Sequence, residues 1–124
     1  MSSRSSQIGD EGEQMAADYL TARGYQILAR KFVCQQGEID IVAQKGEVLI
    51  FAEVKNYSEA SYHDALDALT PLKIKKVIRA AEVYLWQYQV SDNLEIRFDV
   101  VAIDRKQGGV PDLKHIPDAF EWDR

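Results

Sequence analysis

A single cysteine, Cys34, rules out any disulfide within the chain, so the fold must stand on its core alone. Cys34 sits in an apolar segment and reads as a small buried hydrophobe. No apolar run approaches the roughly 20 residues that span a bilayer, so no membrane association is expected. The opening stretch from Met1 to Ser6 has no apolar segment behind it and does not read as a secretory signal. Residues 1–8 are expected to be a flexible tail, and nothing points out of the cytoplasm. There is no repeat, low-complexity tract or linker, which leaves residues 9–124 as one domain. A glycine-rich phosphate loop and a nucleophile elbow are both missing. His63 and His115 are isolated, with no cysteine or histidine at ligand spacing, so zinc is not expected. Positive charge is also scarce: 15 Lys+Arg against 20 Asp+Glu gives a net charge of −5. That balance counts against nucleic-acid affinity built on wholesale phosphate neutralisation. A metal-dependent site, however, concentrates carboxylates and keeps its basic residues elsewhere, so the local pattern decides.

What is present is a globular composition. Hydrophobic residues make up 46% and charged residues 28% of 124, enough to close one core of ordinary size. A helix is expected from about Glu11 to Arg23, with Met15, Ala16, Tyr19 and Leu20 on one stripe and Gly24 ending it. Three strands follow: Tyr25 to Val33, a second from Glu38 through Ile39, Ile41 and Val42, and Val48 to Val54. The glycine turns between them read as an antiparallel meander. Asn56 to Ala68 is mostly loop. Thr70 then caps a helix with Pro71 at its first position and an apolar stripe of Ile74, Val77, Ile78, Ala81, Leu85 and Tyr88. Ile96 to Ile103 is a further strand, and Leu113 to Ile116 a short last one. The order α-β-β-β-α-β(-β) predicts an α/β domain, a mixed central sheet flanked by helices.

Three residues in this plan carry chemistry. Glu53 and Lys55 end the third strand and face the same way, because side chains alternate along a strand. Hairpin pairing brings Asp40 of the second strand beside Glu53. Asp40, Glu53 and Lys55 should therefore cluster at one edge of the sheet. Phosphodiester hydrolysis uses such a set. Mg²⁺ takes one or two carboxylates and keeps several waters, and Asp40 and Glu53 supply those, helped by the Val54 carbonyl. Lys55 would orient the attacking water or stabilise developing negative charge. Against this stands a plainer reading, a solvated hairpin with a cross-strand ion pair of small energetic value.

Other residues also divide between two readings. Asp10 and Glu13 have capping-box spacing, with Asp10 as N-cap; yet Glu13 falls beside Leu20 on the helical wheel, where a carboxylate reaches toward the sheet. Lys73, Lys75, Lys76 and Arg79 give the second helix a basic face, with Trp86 nearby on the wheel. They form either a solvated surface or a nucleic-acid surface. Asp99 shares a strand face with Arg97 and reads as a buried, hydrogen-bonded structural carboxylate.

The set Gly12-Glu13, Gly37-Glu38-Ile39-Asp40, Glu53-Val54-Lys55, Arg97-Phe98-Asp99-Val100 and His115-Ile116 to Ala119-Phe120 resembles the YraN-like family of uncharacterised bacterial proteins, over about Ile8 to Phe120. That family in turn resembles the archaeal Holliday junction resolvases of the PD-(D/E)xK nuclease superfamily. The resemblance implies a restriction-endonuclease-like core and a Mg²⁺- or Mn²⁺-dependent site at Glu13, Asp40, Glu53 and Lys55. The sequence departs from the family pattern at Tyr57, a place that usually holds a basic residue. Two functions are expected on this basis. One is an endonuclease hydrolysing DNA at branched or damaged sites, with a homodimer placing two active sites on one duplex. The other is a non-catalytic module of the same fold that binds DNA or a protein partner in repair or processing.

Overall fold

The computed structural model describes residues 4–57, 69–105 and 109–122. Its elements run α1 (Arg4–Ala22), β1 (Gln26–Cys34), β2 (Gly37–Lys45), β3 (Val48–Tyr57), α2 (Pro71–Gln87), β4 (Glu95–Asp104) and β5 (Asp112–Ile116). The five strands form one sheet in the order β1-β2-β3-β4-β5. Only β3 and β4 are parallel, and α2 lies in the connection between them; every other pair is antiparallel. This is the mixed sheet with flanking helices that the element order predicts. Among the described residues, no helix is long and apolar enough to cross a membrane.

Each helix covers one face of the sheet. Ala16, Ala17 and Leu20 of α1 pack on Ile41, Ala43, Ile50, Ala52, Val101 and Ile103. Val77, Ala80, Ala81 and Tyr84 of α2 pack on Ile39, Val42, Leu49, Phe51 and Phe98. Tyr84 is central to the second layer: its ring meets Phe32 and Phe51 edge-on, at 5.3 and 5.7 Å between centroids. The helix stripe read from the sequence omits Tyr84 and includes Tyr88, which is exposed. Position 88 is the C-cap, past the last helical turn, and its ring reaches only the rim of the layer, against Phe32 and Tyr84.

The helix ends follow local chemistry. Thr70 Oγ1 accepts from the Lys73 amide at 3.3 Å, with Pro71 behind it, as expected of a capped start. The α1 terminus is a Schellman motif. Tyr25 N donates to Leu20 O and Gly24 N to Thr21 O, both at 3.0 Å, while Gly24 takes φ 93.

Two boundaries differ from expectation. The first helix begins at Arg4 rather than Glu11, taking in part of the segment expected as tail. No proline interrupts Arg4 to Asp10, and extending an existing helix needs only one residue fixed per added bond. At the other end, Asn56 and Tyr57 continue β3, paired with Ile103 and Asp104 of β4, instead of opening the loop. The remainder of that expected loop, with His63, lies outside the described residues.

Gly37 is where the β1–β2 turn meets α2. A Cβ built there would stand 2.8 Å from the Lys76 carbonyl oxygen, a backbone atom that cannot swing aside. Gly37→Ala is therefore expected to destabilise the fold by about 1–3 kcal/mol, read by urea unfolding, because the helix must back away from the sheet. Unchanged stability would show that α2 tolerates the shift freely.

Candidate functional site

The β2–β3 ladder runs from Lys45↔Val48 to Ile41↔Ala52 and stops there. The next position on each strand is Asp40 and Glu53. Instead of a backbone pair, the Asp40 carboxylate takes over: Oδ2 accepts from the Val54 amide at 2.8 Å. The strand changes face at the same point. Ile39 packs under α2 and Ile41 under α1, although residues two apart normally share a face. Asp40 thus sits where two inner strands part, and its side chain satisfies an amide that the ladder leaves open.

Glu53 follows the parity of Leu49 and Phe51 and is buried, at 8% exposure. Lys55 is one pleat further, with Nζ 3.7 Å from Glu53 Oε2. Glu13 arrives from α1 and is also buried, at 9% exposure. Asp40 is the link between them: it acts on both Glu13 and Glu53, while Lys55 acts on Asp40 and Glu53. The grouping read from the sequence is assembled, with one correction of place. It sits within inner strands β2 and β3, where the ladder between them stops, and not at a lateral edge, since β1 and β5 form the edges.

The electrostatics are those of carboxylates gathered without enough positive charge. Burial, and then Asp40, push the Glu53 carboxyl up to about 8; Lys55 opposes this. Burial raises Asp40 against the pull of the Val54 amide and Lys55. Burial and Asp40 likewise raise Glu13 against Lys31 and Arg30. Glu13 Oε1 and Glu53 Oε1 are buried with no hydrogen-bond partner among the described residues. Each such acceptor costs roughly 1–3 kcal/mol when nothing satisfies it.

A divalent cation answers that shortage. Among the described residues, no three carboxylate, imidazole or thiolate side chains converge as a ready-made cage. Mg²⁺ does not need one, because it binds through one or two carboxylates and retains water. Asp40 and Glu53, with Glu13 behind them, have the hard oxygen donors and the unsatisfied charge that such an ion fits.

The capping reading of Glu13 fails. Asp10 lies inside α1, six residues beyond its start, so it caps nothing; its carboxylate instead meets Lys31 Nζ at 2.6 Å. Lys31 is the residue that the sequence reading misses. It lies on β1 and approaches Glu13 Oε2 at 3.9 Å. A lone lysine in a strand carries no signal of that proximity.

Lys73, Lys75, Lys76 and Arg79 lie on α2, and all four are exposed. Lys75 and Arg79 flank an open groove of about 540 Å³ floored by Ile74, Ile78 and Phe120. Trp86 is 81% exposed but borders a different hollow, with Leu85, Gln87 and Gln89. It stands two helical turns past Arg79, about 10 Å along the axis, so the wheel proximity does not translate into a shared surface.

Asp99 is fully buried. It accepts from Arg97 Nε at 2.8 Å, Arg97 Nη2 at 2.9 Å and the Asp118 amide at 3.0 Å, and pairs with His115 Nε2 at 2.7 Å. Arg97 also donates to Tyr25 Oη, and His115 contacts Tyr19 Oη. This is the structural carboxylate expected, tying α1, β4 and β5 to the chain between α1 and β1.

The fold and the site together define a small α/β domain with a carboxylate–lysine cluster where two inner strands diverge. The chain belongs to Uncharacterised protein family UPF0102, the YraN family, whose model matches residues 12–103. It is 40% identical over 126 residues to a UPF0102 protein of Chlorobium phaeobacteroides, covering 98% of each chain. A UPF0102 protein of Geotalea uraniireducens is 39% identical over 114 residues, 92% of this chain and 89% of that one. One from Pelobacter propionicus is 42% identical over 115 residues, 91% and 81% of the two chains.

Proposed function

We propose that this protein is a metal-dependent endonuclease of the PD-(D/E)xK type that hydrolyses DNA phosphodiesters in the cytoplasm, with branched or damaged DNA as substrate. The observation that carries the reading is the pair of buried carboxylate oxygens on Glu13 and Glu53 with no partner among the described residues, both acted on by Asp40, with Lys55 beside Glu53. A Mg²⁺ or Mn²⁺ ion held by Asp40 and Glu53 would neutralise the phosphate and lower the pKa of a bound water. Asp40 stays in place through the Val54 amide. Lys55, held near Glu53, presents an ammonium to the attacking water or to the charge that builds on the phosphate. Symmetrical cutting of both strands calls for a homodimer.

The test is cleavage of linear, nicked and four-way-junction DNA in Mg²⁺ or Mn²⁺, with Asp40→Ala as control. Metal-dependent cutting by the parent and none by the variant is the expected result. If the parent cuts nothing, or the variant cuts equally well, the nuclease reading is lost. The protein would then be a non-catalytic module of this fold, binding DNA or a protein partner, for which the open, mainly apolar groove of α2, with Lys75 and Arg79 beside Glu82 and Glu121, is the supporting feature.

The same helix supplies a separate prediction. If Lys75, Lys76 and Arg79 contact phosphates, replacing them by Ala will weaken binding to all DNA sequences alike. The dependence of log affinity on log salt should flatten by about one unit per lost contact. A slope unchanged by all three replacements would return α2 to ordinary solvated surface.

A further inference from the structure

Lys31 stands out by its backbone as well as its charge. It lies within β1 at φ 52, a left-handed conformation that a lysine adopts at some cost. The β1–β2 register runs Arg30↔Ile41 and Phe32↔Ile39, so Lys31 lies across from Asp40. Both strands change face there. Ala29 and Phe32, three apart, pack under the same helix, just as Ile39 and Ile41, two apart, pack under different ones. From this kink the side chain reaches α1, where Nζ stands 2.6 Å from Asp10 Oδ1 and 3.9 Å from Glu13 Oε2. Asp10 is an exposed carboxylate; Glu13 is buried, and its other oxygen has no partner among the described residues. A cation is thus built into the outer wall of the carboxylate cluster, in addition to Lys55, and it is tethered more closely to the exposed acid than to the buried one.

We propose that Lys31 is the resident counter-cation of this site: tethered by Asp10, it stands in for part of a divalent ion's charge at Glu13 and so sets how tightly the site takes one. The inference rests on the reading that the carboxylates bind a divalent cation. Its logic is competition between like charges. An ammonium near Glu13 satisfies the carboxylate when no metal is present and repels the metal when it arrives. Asp10 decides how hard it competes, because the short Lys31–Asp10 pair draws the ammonium away from Glu13 toward solvent. Lys31 is a positioning residue in this account; it touches neither substrate nor metal.

The two partners should therefore act with opposite sign. Mn²⁺ titration of the full chain, without DNA, reads the effect by calorimetry or by water-proton relaxation. Lys31→Asn is the variant of choice, since asparagine tolerates the left-handed conformation and should keep the kink. It is expected to bind Mn²⁺ roughly three- to tenfold more tightly at low ionic strength, with the gain shrinking as salt rises. Asp10→Asn frees Lys31 to settle on Glu13 and should bind about threefold more weakly. The double variant should match Lys31→Asn alone. A structural lysine would change the unfolding midpoint and leave Mn²⁺ affinity where it was.

The proposal is overturned if the parent binds Mn²⁺ and Lys31→Asn binds no more tightly. It is equally overturned if the double variant is weaker than Lys31→Asn by the factor seen for Asp10→Asn, because Asp10 would then act through its own charge. Expected shifts in a protein that cuts no DNA would remove the nuclease reading and leave the counter-cation intact. A parent that binds no Mn²⁺ removes both.

Discussion

Glu53→Gln should abolish metal-dependent cleavage while making the metal-free fold more stable in alkaline solution. The two effects have one origin. With its carboxyl pushed up to about 8 from the ordinary 4.5, folded Glu53 keeps a proton that the unfolded chain releases. The folded state therefore binds more protons between those values, and stability falls as pH rises through that window. The full penalty, on the order of a few kcal/mol, is present above about pH 8. A glutamine amide never ionises, so the variant should lose Glu53's share of that fall, keeping only what the raised Asp40 and Glu13 carboxyls contribute, and should exceed the parent's stability at the upper end of the range. Mn²⁺ reverses the ranking, since binding to the folded state stabilises only a protein that retains the ligand. Cleavage should fall by at least about a hundredfold, because losing even an indirect supporter of a metal site costs ten- to a hundredfold. Urea unfolding from about pH 5 to 9, with chelator and then with Mn²⁺, checks the stability half. A variant less stable than the parent at the alkaline end in chelator would mark Glu53 as a structural carboxylate.

Asp99→Ala should have the largest effect on folding, a loss of about 3–5 kcal/mol. The reason is what remains rather than what is removed. Arg97 loses both of its bonds to Asp99 and, among the described residues, keeps only Tyr25 Oη, and His115 loses its 2.7 Å partner while still packed against Tyr19. Burial pushes the Asp99 carboxyl up, but hydrogen bonds from His115, Arg97 and the Asp118 amide outweigh it and hold it below the ordinary range. A depressed carboxyl stabilises the fold above its unfolded value near 3.8, and that support is lost as pH falls through the lower folded value. Asp99→Ala should accordingly lose much of the parent's steep acid unfolding below about pH 4. An Asp99→Ala protein within about 1 kcal/mol of the parent at neutral pH would show that the network is dispensable.

Much of the architecture is readable because its signals are local. Strand alternation, Thr70-Pro71 and Gly24 each act within a few residues, and they place β3, the start of α2 and the end of α1. Asp40, Glu53 and Lys55 are readable for a similar reason: a hairpin with a short turn makes their proximity nearly a matter of counting. Three things are not readable. The start of α1 is hidden, because serines and Gly9 look like a terminus although nothing forces the helix to stop there. The site's position on inner strands depends on β4 joining beside β3, a long-range choice that the sequence pattern leaves open. Lys31 reaches the site only through a left-handed residue and a register two strands wide, neither of which leaves a mark in composition or periodicity.

The irregular path of β1 has a consequence for what can approach the protein. β1 is an edge strand, and an unbroken edge offers an incoming chain a ready row of amides and carbonyls. Here the row is broken twice, by a register shift between Ile27 and Ala29 and by the left-handed Lys31. The opposite edge, β5, is only five residues long. Both margins are poor templates for another strand, so the sheet resists extension into aggregates or into a continuous sheet across two molecules. Whatever this protein grips, another copy of itself included, it must grip through side chains and helices.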